Sequence, residues 1–278
     1  MLVANSQAAQ VSAHITGSGP TIVLLHSLLA DRGSLEPVIP LLAADFRLVL
    51  IDLPGFGRSP AINGGLDTLA DRLADALYSF CESDAPILFG NGYGSFAALS
   101  LALRHPAATR GLLLAGCGAA FSEEGRNAFR FMATKARQDG LAGVADVAMR
   151  RLFPPEMAAK VPDIIAERRA SFVSTDCDVF QSACYQLAKL DLREAAKGLA
   201  VPVLASAGDL DEATPAAMAE ELAALAPRGS FHRIANCAHV PTLQAPDDVA
   251  ALVREFATQL GAAPTSFQQS SARSARTT

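Results

Sequence analysis

Short apolar runs alternate with stretches of helical periodicity along the first 117 residues, and the alternation resumes after residue 200. Thr21–Leu25 (TIVLL), Phe46–Asp52 (FRLVLID), Pro86–Phe89 and Gly111–Ala115 (GLLLA) are short, apolar and largely free of polar interruption. Runs of that kind predict strands buried on both faces. Val11–Thr16 alternates weakly and runs into Gly17-Ser18-Gly19-Pro20, as the opening strand of a hairpin would. Val201–Ser206 and Ser230–Ile234 predict two more strands. Apolar residues recur at helical spacing over Thr68–Phe80, with Asp67 as a candidate N-cap. Tyr93–Arg104, Thr214–Leu225 and Asp247–Leu260 read as helices in the same way. Buried strands interleaved with helices predict an α/β architecture, a mostly parallel central sheet with helices on both faces.

Between Phe121 and Lys197 the strand signal disappears. Phe121–Gln138, Gly143–Leu152 and Ile164–Leu190 read as helices, which predicts a helical cap insertion over the carboxyl edge of the sheet, where ligands bind in open α/β folds. The expected organisation is therefore a core from 1–120 and 191–262, a cap from 121–190, and a disordered tail over 263–278. That tail, APTSFQQSSARSARTT, is small and polar.

Composition narrows the partners. Half of the 278 residues are hydrophobic and 18% are charged, so the chain can bury a large core. The net charge of −5 and the absence of a Lys/Arg block predict no nucleic-acid partner. Five cysteines, odd in number and without a CxxC pair, fit free thiols in a reducing compartment and predict no structural zinc. The start MLVANSQAAQ lacks the basic and apolar regions of a secretory signal. No uncharged apolar run approaches the ~20 residues that span a bilayer. A cytoplasmic protein with a small-molecule substrate or ligand is expected, with no membrane contact; oligomeric state is left open.

Residues 86–105, PILFGNGYGSFAALSLALRH, carry the candidate chemistry. An apolar strand, a glycine-punctuated turn and a helix of small residues form the layout of a nucleophile elbow, G-x-S-x-G. The pattern falls on Gly90, Asn91, Gly92, Tyr93 and Gly94, so the nucleophile position holds Gly92, which has no side chain. An elbow strains its central residue, and glycine adopts such a conformation without a Cβ penalty.

Together with LLHSLLADRGSLEPVIPLLAADFRLVLIDLPGFGRS at 24–59, ALRHP at 102–106, LDLREAAKGLAVPVLASAGDLDEATP at 190–215 and HRIANCAHVPTLQAP at 232–246, this turn resembles the α/β-hydrolase superfamily, and within it the 3-oxoadipate enol-lactonase branch. The resemblance implies a triad in the order Ser, Asp, His. It carries the acid to Asp211 in the turn Gly208-Asp209-Leu210-Asp211, with Asp209 the lesser candidate; either carboxylate could instead simply cap the helix near Thr214. It carries the base to His239, while His14, His105 and His232 have no comparable context and read as structural. The oxyanion hole falls to the backbone amides of Leu28, in HSLL, and Tyr93. No cofactor and no metal are implied.

A carboxylate on Nδ1 orients an imidazole and leaves Nε2 to take a proton from whatever group is held there, water or a carbon acid included. Other nucleophiles are weaker candidates: Ser95 lies one turn into the helix, and Cys117 and Cys237 read as small buried residues. Asp31 and Asp52 read as turn-stabilising. At Gly92 the site either lost its nucleophile and relaxed, or keeps a water against His239. Three functions follow. The first is an enzyme acting on a small lactone, ester or enolisable compound through a His239–Asp211 dyad without a serine nucleophile. The second is a catalytically dead binding or sensor protein, and the third a serine hydrolase whose nucleophile was deliberately replaced.

Overall fold

In the computed structural model, which describes residues 2–6 (backbone only), 10–81 and 84–263, eight strands form one sheet. They are β1 (Leu2–Ser6), β2 (Val11–Thr16), β3 (Thr21–Leu25), β4 (Arg47–Asp52), β5 (Ile87–Asn91), β6 (Gly111–Ala115), β7 (Val203–Gly208) and β8 (Gly229–Ile234). The order across the sheet is β1-β2-β4-β3-β5-β6-β7-β8. β2 runs antiparallel to both β1 and β4, and every other pairing is parallel.

Successive residues of the central strands feed two separate cores, which is why their sequences are continuously apolar. Ile22 and Leu24 of β3 join Leu48, Leu50, Phe89 and Leu113 on one face. Val23 and Leu25 join Val49, Ile51, Leu88 and Leu114 on the other. The first face is covered by the turn of helix Arg32–Val38 and by Pro246–Gln259, the second by Leu66–Phe80 and Tyr93–Arg104. Each face removes apolar area from water at roughly 25 cal/mol per Å².

Several boundaries differ from the sequence reading, each for a local reason. The turn after β2 closes no hairpin, because β2 pairs with β1 and β4 and not with β3. The strand expected from Val201 begins at Val203, since Pro202 has no N–H for the ladder. Pro86 likewise precedes β5. The helix Leu66–Phe80 starts two residues early, with Gly65 at its N-cap. Asp67 therefore sits inside the first turn and accepts from Ser100 and Arg104 instead of capping.

From Glu123 to Leu187 the described chain is helical without a strand, and an isolated antiparallel bridge, Ala120 to Asp191, closes the base of this segment. The helix expected over Ile164–Leu190 is two helices, Pro162–Val173 and Cys177–Leu187. Asp176 breaks it: its carboxylate accepts from the amides of Asp178 and Val179 as an N-cap. Packed rings tie the segment to the helix Tyr93–Arg104, with Phe121 edge-to-face on Phe129 at 4.8 Å and tilted against Phe96 at 5.2 Å. Expectations for the tail concern residues 264–278, outside the described residues. Among the described residues, no helix is long and apolar enough to cross a membrane.

Candidate active site

Parallel strands deliver their following loops to one edge. Leu25 of β3 is level with Gly90 of β5, Asn91 with Ala115 of β6, and Gly208 of β7 with Ile234 of β8. The segments carrying Ser27, Gly92, Asp211 and His239 therefore leave the sheet side by side.

Gly92 precedes the helix Tyr93–Arg104 at φ 53°, ψ −117°, a backbone state that side-chain-bearing residues rarely adopt. The turn is strapped in place: Gly92 donates to the Ala115 carbonyl at 2.9 Å and Gly94 to the His26 carbonyl at 3.0 Å. A Cβ on Gly94 would lie 2.4 Å from the Leu25 carbonyl oxygen, so the helix reaches the strand this closely only as glycine.

Asp211 and His239 meet, Nδ1 lying 2.9 Å from Oδ2 with both side chains buried. Asp211 makes both sets of contacts that the sequence left open, through different oxygens. Oδ1 accepts from the amides of Ala213 and Thr214 at 2.8 and 3.0 Å, which delays the next helix to Ala216–Leu225. Oδ2 accepts from His239 and from the Thr214 hydroxyl at 2.7 Å. Burial pushes the Asp211 carboxyl up, but the His239 charge and the bonds from His239 and Thr214 outweigh it and hold the carboxyl below its usual range. Asp209 turns away and accepts from the Cys237 amide.

The His239 loop is fixed on two sides. Asn91 donates to the His239 carbonyl at 2.8 Å and to the Ala115 carbonyl at 3.3 Å. Gln244 accepts from the Ala238 amide at 2.9 Å and donates to the Leu152 carbonyl at 2.8 Å, coupling this loop to the helical segment.

With Nδ1 donating to the carboxylate, Nε2 is left as an acceptor. The group it faces was not foreseen: Ser27 Oγ lies 3.3 Å away and is buried. A Cβ on Gly92 would sit 2.5 Å from that oxygen and 2.9 Å from Nε2. The available signal was the serine in HSLL, one residue before the expected oxyanion donor, read against the glycine at 92. His26 holds this loop. Its Nε2 accepts from the Leu53 amide at 3.1 Å, so Nδ1 donates to the Ser27 carbonyl at 2.9 Å. Burial lowers the His26 pKa and keeps the ring neutral in this role.

The amides of Leu28 and Tyr93 have no acceptor among the described residues and flank the same space. That space is a cavity of about 30 Å³, lined among others by Leu28, Tyr93, Phe96, Phe129, Met132 and Arg151. Arg151 and His239 are the titratable side chains of this wall apart from the Tyr93 phenol, and Arg151 is its one arginine.

The remaining candidates are occupied elsewhere. Ser95 donates to the Gly92 carbonyl at 2.6 Å. Burial pushes the Cys117 and Cys237 thiols up to about 12, so neither is a thiolate near neutral pH. Asp52 does stabilise its turn, accepting from the Arg58 amide and from Arg32. Asp31 does not: its carboxylate binds Arg168 and Ser171 of the helical segment. His105 pairs with Asp71 at 2.6 Å on the second-face helices, far from this chemistry in the chain.

A parallel-rich sheet with an elbow at the end of β5, an acid after β7 and a histidine after β8 defines the α/β-hydrolase fold. The chain belongs to the alpha/beta hydrolase family, whose model matches residues 22–252. It is 28% identical over 218 residues to 3-oxoadipate enol-lactonase 1 of Acinetobacter baylyi, covering 77% of this chain and 80% of that one. It is 27% identical to the pimeloyl-[acyl-carrier protein] methyl ester esterase of Aeromonas hydrophila over 261 residues, covering 88% and 98%. The enol-lactonase of Burkholderia xenovorans superimposes with a TM-score of 0.83 at 26% identity, covering 92% of this chain and all of its own.

Proposed function

We propose that this protein hydrolyses a small ester or lactone, or acts on a related enolisable compound, with His239 as general base and Asp211 as its orienting acid. The elbow position itself contributes no nucleophile. The observation that carries this reading is the dyad: a histidine anchored through Nδ1 at 2.9 Å, with Nε2 turned to a cavity that two unengaged amides also face. Those amides, Leu28 and Tyr93, would hold the oxyanion that develops at an attacked carbonyl, a contribution of roughly 3–4 kcal/mol per donor. The helical segment acts as a cap over this cavity, and its apolar lining favours a compact acyl group. Arg151 on that cap supplies a cation for an acidic substituent on the substrate. The named activities of the two relatives, an enol-lactonase and a methyl ester esterase, are both carbonyl hydrolyses of this type. Five free cysteines among the described residues support a reducing compartment such as the cytoplasm.

Turnover of p-nitrophenyl acetate, short alkyl esters and lactones by the protein and by His239→Ala tests the reading. We expect measurable hydrolysis that falls by about 10³-fold or more in the variant. Equal rates would overturn it. Within the active protein, Arg151→Met should raise KM for esters bearing a carboxylate and leave that for neutral esters unchanged. A second reading, a protein that binds its ligand without turning it over, draws on the small size of the cavity, about 30 Å³, and on Gly92. Binding of the same esters without hydrolysis would favour it. The third reading, a serine simply removed from position 92, is disfavoured by Ser27, whose Oγ lies 2.5 Å from where its Cβ would be.

A further inference from the structure

We propose that Ser27, in the loop after β3, is the nucleophile of this enzyme, its hydroxyl delivered to His239 from that loop into the space an elbow side chain would fill. This rests on the hydrolytic reading above and replaces its open question, which group gives His239 a proton.

Three observations carry it. Ser27 Oγ is 3.3 Å from His239 Nε2, and that contact is the hydroxyl's one hydrogen bond among the described residues. The neighbouring buried serines spend their hydroxyls on backbone instead, Ser95 on the Gly92 carbonyl at 2.6 Å and Ser59 on the Asp52 carbonyl at 2.6 Å. Second, Ser27 Oγ and an elbow side chain would compete for one volume, since a Cβ at 92 would lie 2.5 Å from Oγ and 3.0 Å from the Ser27 Cβ. Glycine at 92 is what admits the Ser27 hydroxyl to the base. Third, the two loops are built alike around the reaction site. Each places one residue near Nε2 and follows it with an unengaged amide, Ser27 with Leu28 and Gly92 with Tyr93. Supplying the hydroxyl from the β3 loop therefore leaves both oxyanion donors where the reaction needs them.

The step balances as ordinary acyl transfer. His239 Nε2 takes the Ser27 proton as Oγ bonds to the substrate carbonyl carbon, and the Leu28 and Tyr93 amides hold the resulting oxyanion. The oxyanion collapses, the bond to the leaving oxygen breaks, and the proton on His239 passes to that oxygen. Water then gives a proton to His239 and attacks the acyl-Ser27 ester. On the second collapse the proton returns to Oγ and the acid product leaves. A contact of 3.3 Å is within the range that tightens when substrate binds.

The test is labelling with a fluorophosphonate, followed by peptide mass spectrometry, alongside p-nitrophenyl acetate turnover. We expect the adduct on the peptide bearing Ser27, its loss in Ser27→Ala and in His239→Ala, and a fall in turnover of about 10³-fold or more in Ser27→Ala. Ser27→Cys, which keeps a nucleophile and nearly the same volume, should fold normally and react with iodoacetamide at residue 27 faster in the presence of His239 than in its His239→Ala background. In the chain carrying both Ser27→Gly and Gly92→Ser, the label should move to position 92. Turnover that needs His239 but survives Ser27→Ala, or an adduct on Ser95, overturns this proposal and leaves the hydrolytic reading standing. A protein that neither labels nor turns over overturns both.

Discussion

The loop after β3 and the turn after β5 each bring one residue to His239 Nε2, yet they are built by opposite means. The β5 turn holds its central residue at φ 53°, a conformation stabilised by backbone straps and kept cheap by glycine. The β3 loop is held by a side chain, the neutral imidazole of His26, which joins the Leu53 amide to the Ser27 carbonyl. One junction keeps the strained backbone without a side chain, and the other keeps the side chain on a loop braced from behind. The difference teaches that the site's chemistry is set by the space the loops share, so residues 27 and 92 have to be read as a pair.

The sharpest way to break this comparison is to place a side chain on both loops. In Gly92→Ala the new Cβ would meet Ser27 Oγ at 2.5 Å and His239 Nε2 at 2.9 Å, forcing the hydroxyl and the base apart. Displacements of about 1 Å at reacting groups cost on the order of 10²-fold, so turnover should fall by about that much. The left-handed backbone should also cost roughly 1–3 kcal/mol of stability. Ester turnover and urea unfolding check both. In the Ser27→Gly background the same substitution should lose less stability, because part of the collision is gone. Equal losses in the two backgrounds would show that the residues do not share their space.

A smaller effect separates the bracing of the two loops. Burial depresses the His26 pKa from its ordinary value of 6.5. As pH falls below 6.5 the unfolded chain takes up a proton that the folded chain refuses, so stability is complete above 6.5 and declines below it. One such group contributes a slope of up to about 1.4 kcal/mol per pH unit. Burial and the Arg32 charge depress His14 in the same direction, so both rings add to the decline. His26→Gln should lower stability near neutral pH and flatten the acid limb by one proton's share, leaving that of His14. Urea midpoints at pH values on either side of 6.5 give the comparison. Fluorophosphonate labelling should slow in the same variant, since the loop that carries Ser27 loses its brace. Unchanged acid slopes would mean that His26 is not kept neutral.

Most of the frame was legible because it repeats simple signals. Apolar runs marked the buried strands, and the family resemblance carried the candidate positions to Gly92, Asp211 and His239 before any geometry. What stayed hidden has specific causes. β1 carries no apolar run, only LVANS, and exists by pairing with β2. The split at Asp176 was written in Ser174-Thr175-Asp176, but the helical periodicity on either side masked it. Ser27 was hidden because a contact between residues 212 positions apart leaves no local pattern. The phrase HSLL was read for its backbone amide at Leu28, and the hydroxyl beside it was passed over. Asp31 was misassigned for the same reason, its partners Arg168 and Ser171 lying far along the chain.

The smallest expected effect distinguishes the two serines nearest the elbow. Ser95 is buried one turn into the helix, and its hydroxyl donates to the Gly92 carbonyl at 2.6 Å, with Gly116 at 3.5 Å as a weaker acceptor. That bond supports the strained turn and has no path to His239. Ser95→Ala removes a donor from a buried carbonyl, yet Gly92 O also accepts from the Ser95 and Phe96 amides at 2.9 and 3.4 Å, so no acceptor is left bare. The loss should therefore stay near the ordinary net value of about 1 kcal/mol. Fluorophosphonate labelling and ester turnover should be unchanged, in contrast to the collapse expected for Ser27→Ala. Loss of labelling in Ser95→Ala, with stability intact, would move the nucleophile back into the elbow helix and dissolve the pairing of residues 27 and 92.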